Sequence, residues 1–118
     1  MPVTITDDSA TISTTEYSLP ADTTTGVPTS QTDDSLLEVW IDFGAMIAGD
    51  QYAARFYEKA TSAGSQRRAN EWVLTGAQSD PLLILQLGYV AHGWDVTVIR
   101  LAGTDRSIAW SLRKITSA

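Results

Sequence analysis

The stretch Leu36-Leu37-Glu38-Val39-Trp40-Ile41-Asp42-Phe43 decides the fold class. Leu37, Val39, Ile41 and Phe43 fall on one side of an extended chain, and Glu38, Trp40 and Asp42 on the other. Successive side chains of a strand point to opposite faces, so a period of two marks a strand with one face in a core. The same period returns downstream. Tyr52, Ala54 and Phe56 alternate with Arg55, Tyr57 and Lys59, and after the small, polar turn 61–66 Trp72 and Leu74 alternate with Glu71 and Val73. Pro81 to Leu87 is a compact apolar run whose length favours a buried strand over a helix. Trp94, Val96 and Val98, then Ile108, Trp110 and Leu112, flank the turn Ala102-Gly103-Thr104-Asp105 and read as a hairpin. Gly44 to Asp50 is long enough for one helical turn only. No segment carries a sustained helical stripe. The chain is therefore expected to be all-β, an antiparallel β-sandwich of jelly-roll or immunoglobulin-like type, with a body over residues 36–118.

Residues 1–35 differ in composition, with ten Thr, five Ser and five Asp. Few apolar groups offset the entropy of ordering such a segment, so it is expected to be an extended N-terminal arm. Val3 and Ile5, then Ala10 and Ile12, alternate with polar residues, which predicts two short strands joined near Asp7-Asp8-Ser9. Ala21 to Asp34, with Gly26, Pro28 and a Thr run, reads as a linker.

At 118 residues the chain holds one ordinary core. Its formal charge is −6, divided unevenly: residues 1–54 carry nine acids and no base, and residues 55–118 carry a net +3. That asymmetry speaks to association rather than to fold. The absence of cysteine excludes disulfides, thiol catalysis and Cys-containing zinc sites. The longest apolar run is too short to cross a bilayer, and the N-terminus lacks a signal-peptide pattern, so a soluble protein without membrane association is expected.

Catalytic chemistry finds little to use. His92 is the only imidazole, and its neighbours Gly93, Trp94 and Asp95 cannot form a triad, because adjacent side chains on an extended chain diverge. The pairs Asp7-Asp8 and Asp33-Asp34 sit in turn-like sequence and read as solubilising charges rather than as a glycosidase pair. No calcium-loop order and no phosphate loop is present. The chain is read as a non-enzyme without catalytic residues, cofactor or metal. The doublets Arg67-Arg68 and Arg113-Lys114 raise nucleic-acid binding, but an acidic chain with an acidic arm is repelled by polyphosphate. Those arginines read instead as edge-protecting charges or as receivers of acidic segments from neighbouring subunits. Trp40, between Glu38 and Asp42, would be an indole wasted on a polar face unless another layer covers it. That cover is either the arm, through Ile12, Tyr17 or Leu19, or another molecule.

The stretches 10–20, 48–52 with Tyr57-Glu58-Lys59, and His92-Gly93-Trp94-Asp95-Val96-Thr97 followed by residues 102–108 resemble a family of small structural proteins of tailed bacteriophages. The likeness spans most of the chain, and its motifs are structural punctuation. It implies a virion component made in the host cytoplasm, most often a capsid decoration or cement protein and less often a neck, tail or head-fibre part. The implied partners are the major capsid protein or other virion proteins, with several copies or a homo-oligomer in the assembly. The contacts expected for that task are Val3, Ile5, Ile12, Tyr17 and Leu19 of the arm, with Trp40, Arg67 and Arg68 of the body. Deleting residues 1–34 is then expected to leave a folded body that no longer associates. A carbohydrate-binding sandwich displaying Trp40, Trp72 or Trp110 is the rival reading from another class.

Overall fold

The computed structural model describes residues 3–115. They form nine strands and no helix: β1 (Val3–Ile12), β2 (Tyr17–Ser18), β3 (Thr23–Thr24), β4 (Ser35–Asp42), β5 (Gln51–Glu58), β6 (Arg67–Thr75), β7 (Leu82–Val90), β8 (Asp95–Ala102) and β9 (Arg106–Ile115). Two antiparallel sheets result, of order β1-β9-β4-β7 and β3-β2-β8-β5-β6. They pack as a sandwich. Leu37, Val39, Ile41, Ile108, Trp110 and Leu112 of the first sheet meet Tyr52, Ala54, Trp94, Val96 and Val98 on the side of the second, all buried. The period-two pattern of the body thus marks real core faces.

Three expectations are corrected. Residues 94–115 are two strands but not a hairpin: β8 pairs with β2 and β5, while β9 pairs with β1 and β4 in the other sheet. Their apolar faces oppose each other across the core instead of lying side by side. The corner between them is built by Asp50, which accepts from Thr104 N–H at 3.1 Å and Arg106 Nε at 2.9 Å. Gly103 lies there at φ +90°, and a Cβ on it would come within 2.2 Å of Asp50 Oδ1.

The N-terminal segment is part of the sandwich and not an arm separate from it. Residues 3–12 run as one unbroken strand in register with β9 from Val3↔Ile115 to Ile12↔Arg106, with Asp7 and Asp8 mid-strand where a turn was expected. Backbone pairing to a neighbouring strand supplies what the sparse apolar side chains do not. Ile12 and Leu19 are wholly buried and Tyr17 nearly so, all within the common core. No structural division falls at residue 35.

The run at 81–87 is also less buried than its composition predicts. It lies in β7, an edge strand, with Leu85 in the core and Leu82 and Ile84 exposed on the other face.

Residues 13–34 cover part of the outer face of the second sheet, while Val73 of β6 on that face stays 48% exposed. Glu16 reaches across it, and its Oε1 accepts from Arg55 Nη1 and Tyr57 Oη, both at 2.6 Å. Burial and then the Glu16 bond push the Tyr57 phenol up to about 12. Asp95 accepts from Ser18 Oγ and Thr29 N–H, each at 2.7 Å. Its burial outweighs those bonds and raises its pKa above the ordinary carboxylate value.

Candidate functional site

The outer face of the first sheet displays more large exposed apolar side chains than that of the second. The strand registers lay it out in rows. Val3, Ile115, Leu36 and Tyr89 stand abreast across all four strands, an uninterrupted apolar row. The next row is Ile5, Arg113, Glu38 and Gln86, and the third is Asp7, Ser111, Trp40 and Ile84. Val3 and Ile5 are each 55% exposed, Ile84 is 43% exposed and Tyr89 is 87% exposed. Folded domains scatter single apolar side chains over their surfaces, so a contiguous apolar row makes this face the candidate site.

Between the first two rows lies a groove of about 470 Å³, lined by Val3, Leu36, Glu38, Gly88, Arg113 and Ile115 among others. A local irregularity makes it. The β4–β7 register slips at Leu37/Glu38, leaving Leu87 without an opposite number, and Gly88 takes φ +71°. Such a bulge bends its strand, and the missing side chain at Gly88 opens the floor. The two charges at the groove are of opposite sign: Glu38 and Arg113 occupy opposite register positions on β4 and β9. Gln86 Nε2 donates to Glu38 Oε2 at 3.4 Å.

The expected contact residues do not gather at one place. Val3 and Ile5 are on this face. Trp40 is there too, half-buried, with the Arg113 guanidinium 3.7 Å above its ring and its indole N–H donating to Glu38. Within the chain its partial cover is therefore cationic, supplied by Arg113 and not by Ile12, Tyr17 or Leu19. Ile12, Tyr17 and Leu19 are buried in the core. Arg67 and Arg68 are exposed on β6, at the far edge of the second sheet. Arg68 bonds Glu71 of the same strand at 3.3 Å.

Leu36, Ile84, Tyr89 and Ile115 were missed by sequence reasoning, and Arg113 was raised only as a receiver of acidic segments. The signal existed for Leu36 and Arg113, which share a strand face with Trp40 and Ala109 by parity alone. For β7 it did not, because an unbroken apolar run hides which side is exposed. The three indoles considered as glycan platforms are all engaged: Trp110 is buried, Trp72 packs on the core and Trp40 is under Arg113.

Among the described residues no three His, Cys, Asp or Glu side chains approach closely enough to hold a metal ion. No helix among them is long and apolar enough to cross a membrane. The face offers apolar contact and a groove rather than a nucleophile beside a base. No protein-family model matches this chain, and no curated protein or solved structure matches it either.

Proposed function

We propose that this chain is a non-enzymatic structural protein of a tailed-phage virion, a decoration or cement protein that binds the assembled capsid through the outer face of its first sheet. The observation that carries this reading is the apolar row Val3–Ile115–Leu36–Tyr89, exposed beside a groove. Binding only the assembled shell stabilises it by mass action, and that task asks for surface complementarity and no chemistry. The sandwich is of the jelly-roll type: the orders β1-β9-β4-β7 and β2-β8-β5-β6 are those of paired Greek keys rolled together, which supports this form over the immunoglobulin-like one. The sequence resemblance to phage structural proteins supplies the virion setting.

Co-sedimentation with assembled, DNA-free shells of the phage that encodes the chain tests the proposal. Saturable pelleting of the wild-type chain is expected, with Leu36→Asp and Tyr89→Ala each weakening it while leaving the circular dichroism unchanged. A folded protein that stays in the supernatant at all shell concentrations overturns decoration. Binding that ignores both substitutions removes this face from the interface.

A further inference from the structure

The outer face of the first sheet is graded along its strands. Its first row, Val3–Ile115–Leu36–Tyr89, is wholly apolar, and a carboxylate enters in each row after it. Glu38 stands in the second row and Asp7 in the third, while Asp42 lies between Ala109 and Leu82 in the fourth. Asp7 and Asp42 are exposed, and Asp42 accepts from the Gly44 N–H at 2.8 Å. Among the described residues none of these three carboxylates is in an ion pair. Elsewhere the chain matches acid to base, as Glu16 is matched by Arg55 and Asp50 by Arg106. The cation of this face, Arg113, lies instead over the Trp40 ring.

We infer that this face docks a protein surface that is apolar at one end and basic at the other, setting an apolar side chain on the first row and Lys or Arg side chains over Asp7 and Asp42. Residues two apart on a strand are separated by about 7 Å, so the third and fourth rows lie about 14 and 20 Å from the first. A partner strand or loop spans that distance in a few residues. Lys and Arg suit the far rows for a second reason. Ile84 and Leu82 are 43% and 46% exposed there, and the aliphatic stem of a long basic side chain covers such groups while its head reaches a carboxylate.

Charge selects this occupant over the others. A second copy would bring the same carboxylates to the contact, and nucleic acid or an anionic membrane would bring phosphate. Each is repelled both by this face and by the net charge of −6. A basic partner is attracted by both. The inference rests on this face being the docking surface proposed above and not on the partner being a capsid, so its test uses no shells.

The test is an NMR titration of the isotope-labelled full chain with the acetylated, amidated peptide Leu-Ser-Leu-Ser-Lys-Ser-Lys, whose alternate side chains in extended form match the spacing of the rows, and with its counterpart carrying Glu for Lys. Saturable shifts at β1, β4, β7 and β9 are expected with the Lys peptide, and binding about tenfold weaker or worse with the Glu peptide. Asp7→Asn combined with Asp42→Asn is expected to weaken the Lys peptide about tenfold, and added salt to weaken it in the wild type. Glu58→Gln combined with Glu71→Gln removes the same charge from the second sheet and leaves binding unchanged, which separates this face from a general attraction to an acidic chain. Asp7→Lys shifts preference toward the Glu peptide. Circular dichroism checks that the variants fold, and Asp7→Asn alone replaces a double variant that does not. Equal binding of the two peptides, shifts that miss the first sheet, a loss as large from the second-sheet pair, or no saturable binding each overturns the inference. A chain that binds the Lys peptide at this face but ignores shells keeps the inference and loses the capsid; the converse loses the inference alone.

Discussion

Asp50 and Arg106, 56 residues apart in the chain, meet with Arg106 Nε donating to Asp50 Oδ2 at 2.9 Å. Asp50 immediately precedes β5 of one sheet and Arg106 opens β9 of the other, so the pair ties the two sheets at one end of the sandwich. Asp50 itself is buried, and it also accepts from the backbone N–H of Ile47 at 3.0 Å and of Thr104 at 3.1 Å.

The pH dependence of stability follows from that environment. The Ile47 and Thr104 N–H groups, then Arg106, hold the Asp50 carboxyl below its ordinary value of 3.8. The unfolded chain takes up the proton first, so the contribution of Asp50 is complete above the unfolded pKa and is lost as pH falls through the folded one. Asp50→Asn is expected to be less stable than wild type at about pH 6, with the gap narrowing at about pH 3. Urea melts of both proteins across that range check it, and a gap independent of pH would contradict the assignment.

At Gly103 the same carboxylate leaves no room for a side chain. Gly103→Ala combines a left-handed φ with a Cβ 2.7 Å from the Asp50 Cα, and neither backbone can move freely. A loss of about 2–3 kcal/mol is expected, and a melting temperature lower by about 10 °C or more. Differential scanning calorimetry reads it directly.

Thr97 offers the opposite case. Its hydroxyl is buried on the outer side of β8 without a hydrogen-bond partner, between Ser18 and Arg55 on the flanking strands. Valine has nearly the same shape and no polar atom to desolvate. Thr97→Val is expected to stabilise the fold by about 1 kcal/mol, seen as a higher urea midpoint at unchanged slope.

Removing residues 1–34 is expected to unfold the chain. Ile12, Tyr17 and Leu19 each contribute about 1.5–3 kcal/mol by burial, and their sum rivals the whole 5–15 kcal/mol stability of an ordinary domain. The deletion would also strip β9 of a ten-residue partner. Amide exchange or circular dichroism of the truncated chain decides the matter, and native dispersion would restore the picture of a detachable arm.

The amino-acid sequence by itself determined the local half of this structure. Period-two alternation in Leu37–Phe43, Tyr52–Phe56, Trp94–Val98 and Ile108–Leu112 named the strands and the faces they bury, because side-chain direction on a strand is a property of consecutive residues. It could not name neighbours. Trp94–Val98 and Ile108–Leu112 have the pattern of a hairpin, yet they belong to opposite sheets, since alternation shows that a face is buried and not what it is buried against. The Thr-rich start of the chain looked loose because its support is a backbone ladder to β9, more than 90 residues away. The open apolar row likewise exists only where four distant strands lie abreast. Pairing between strands is a long-range choice made by the packed core, and it decided which apolar residues of this protein are hidden and which are exposed.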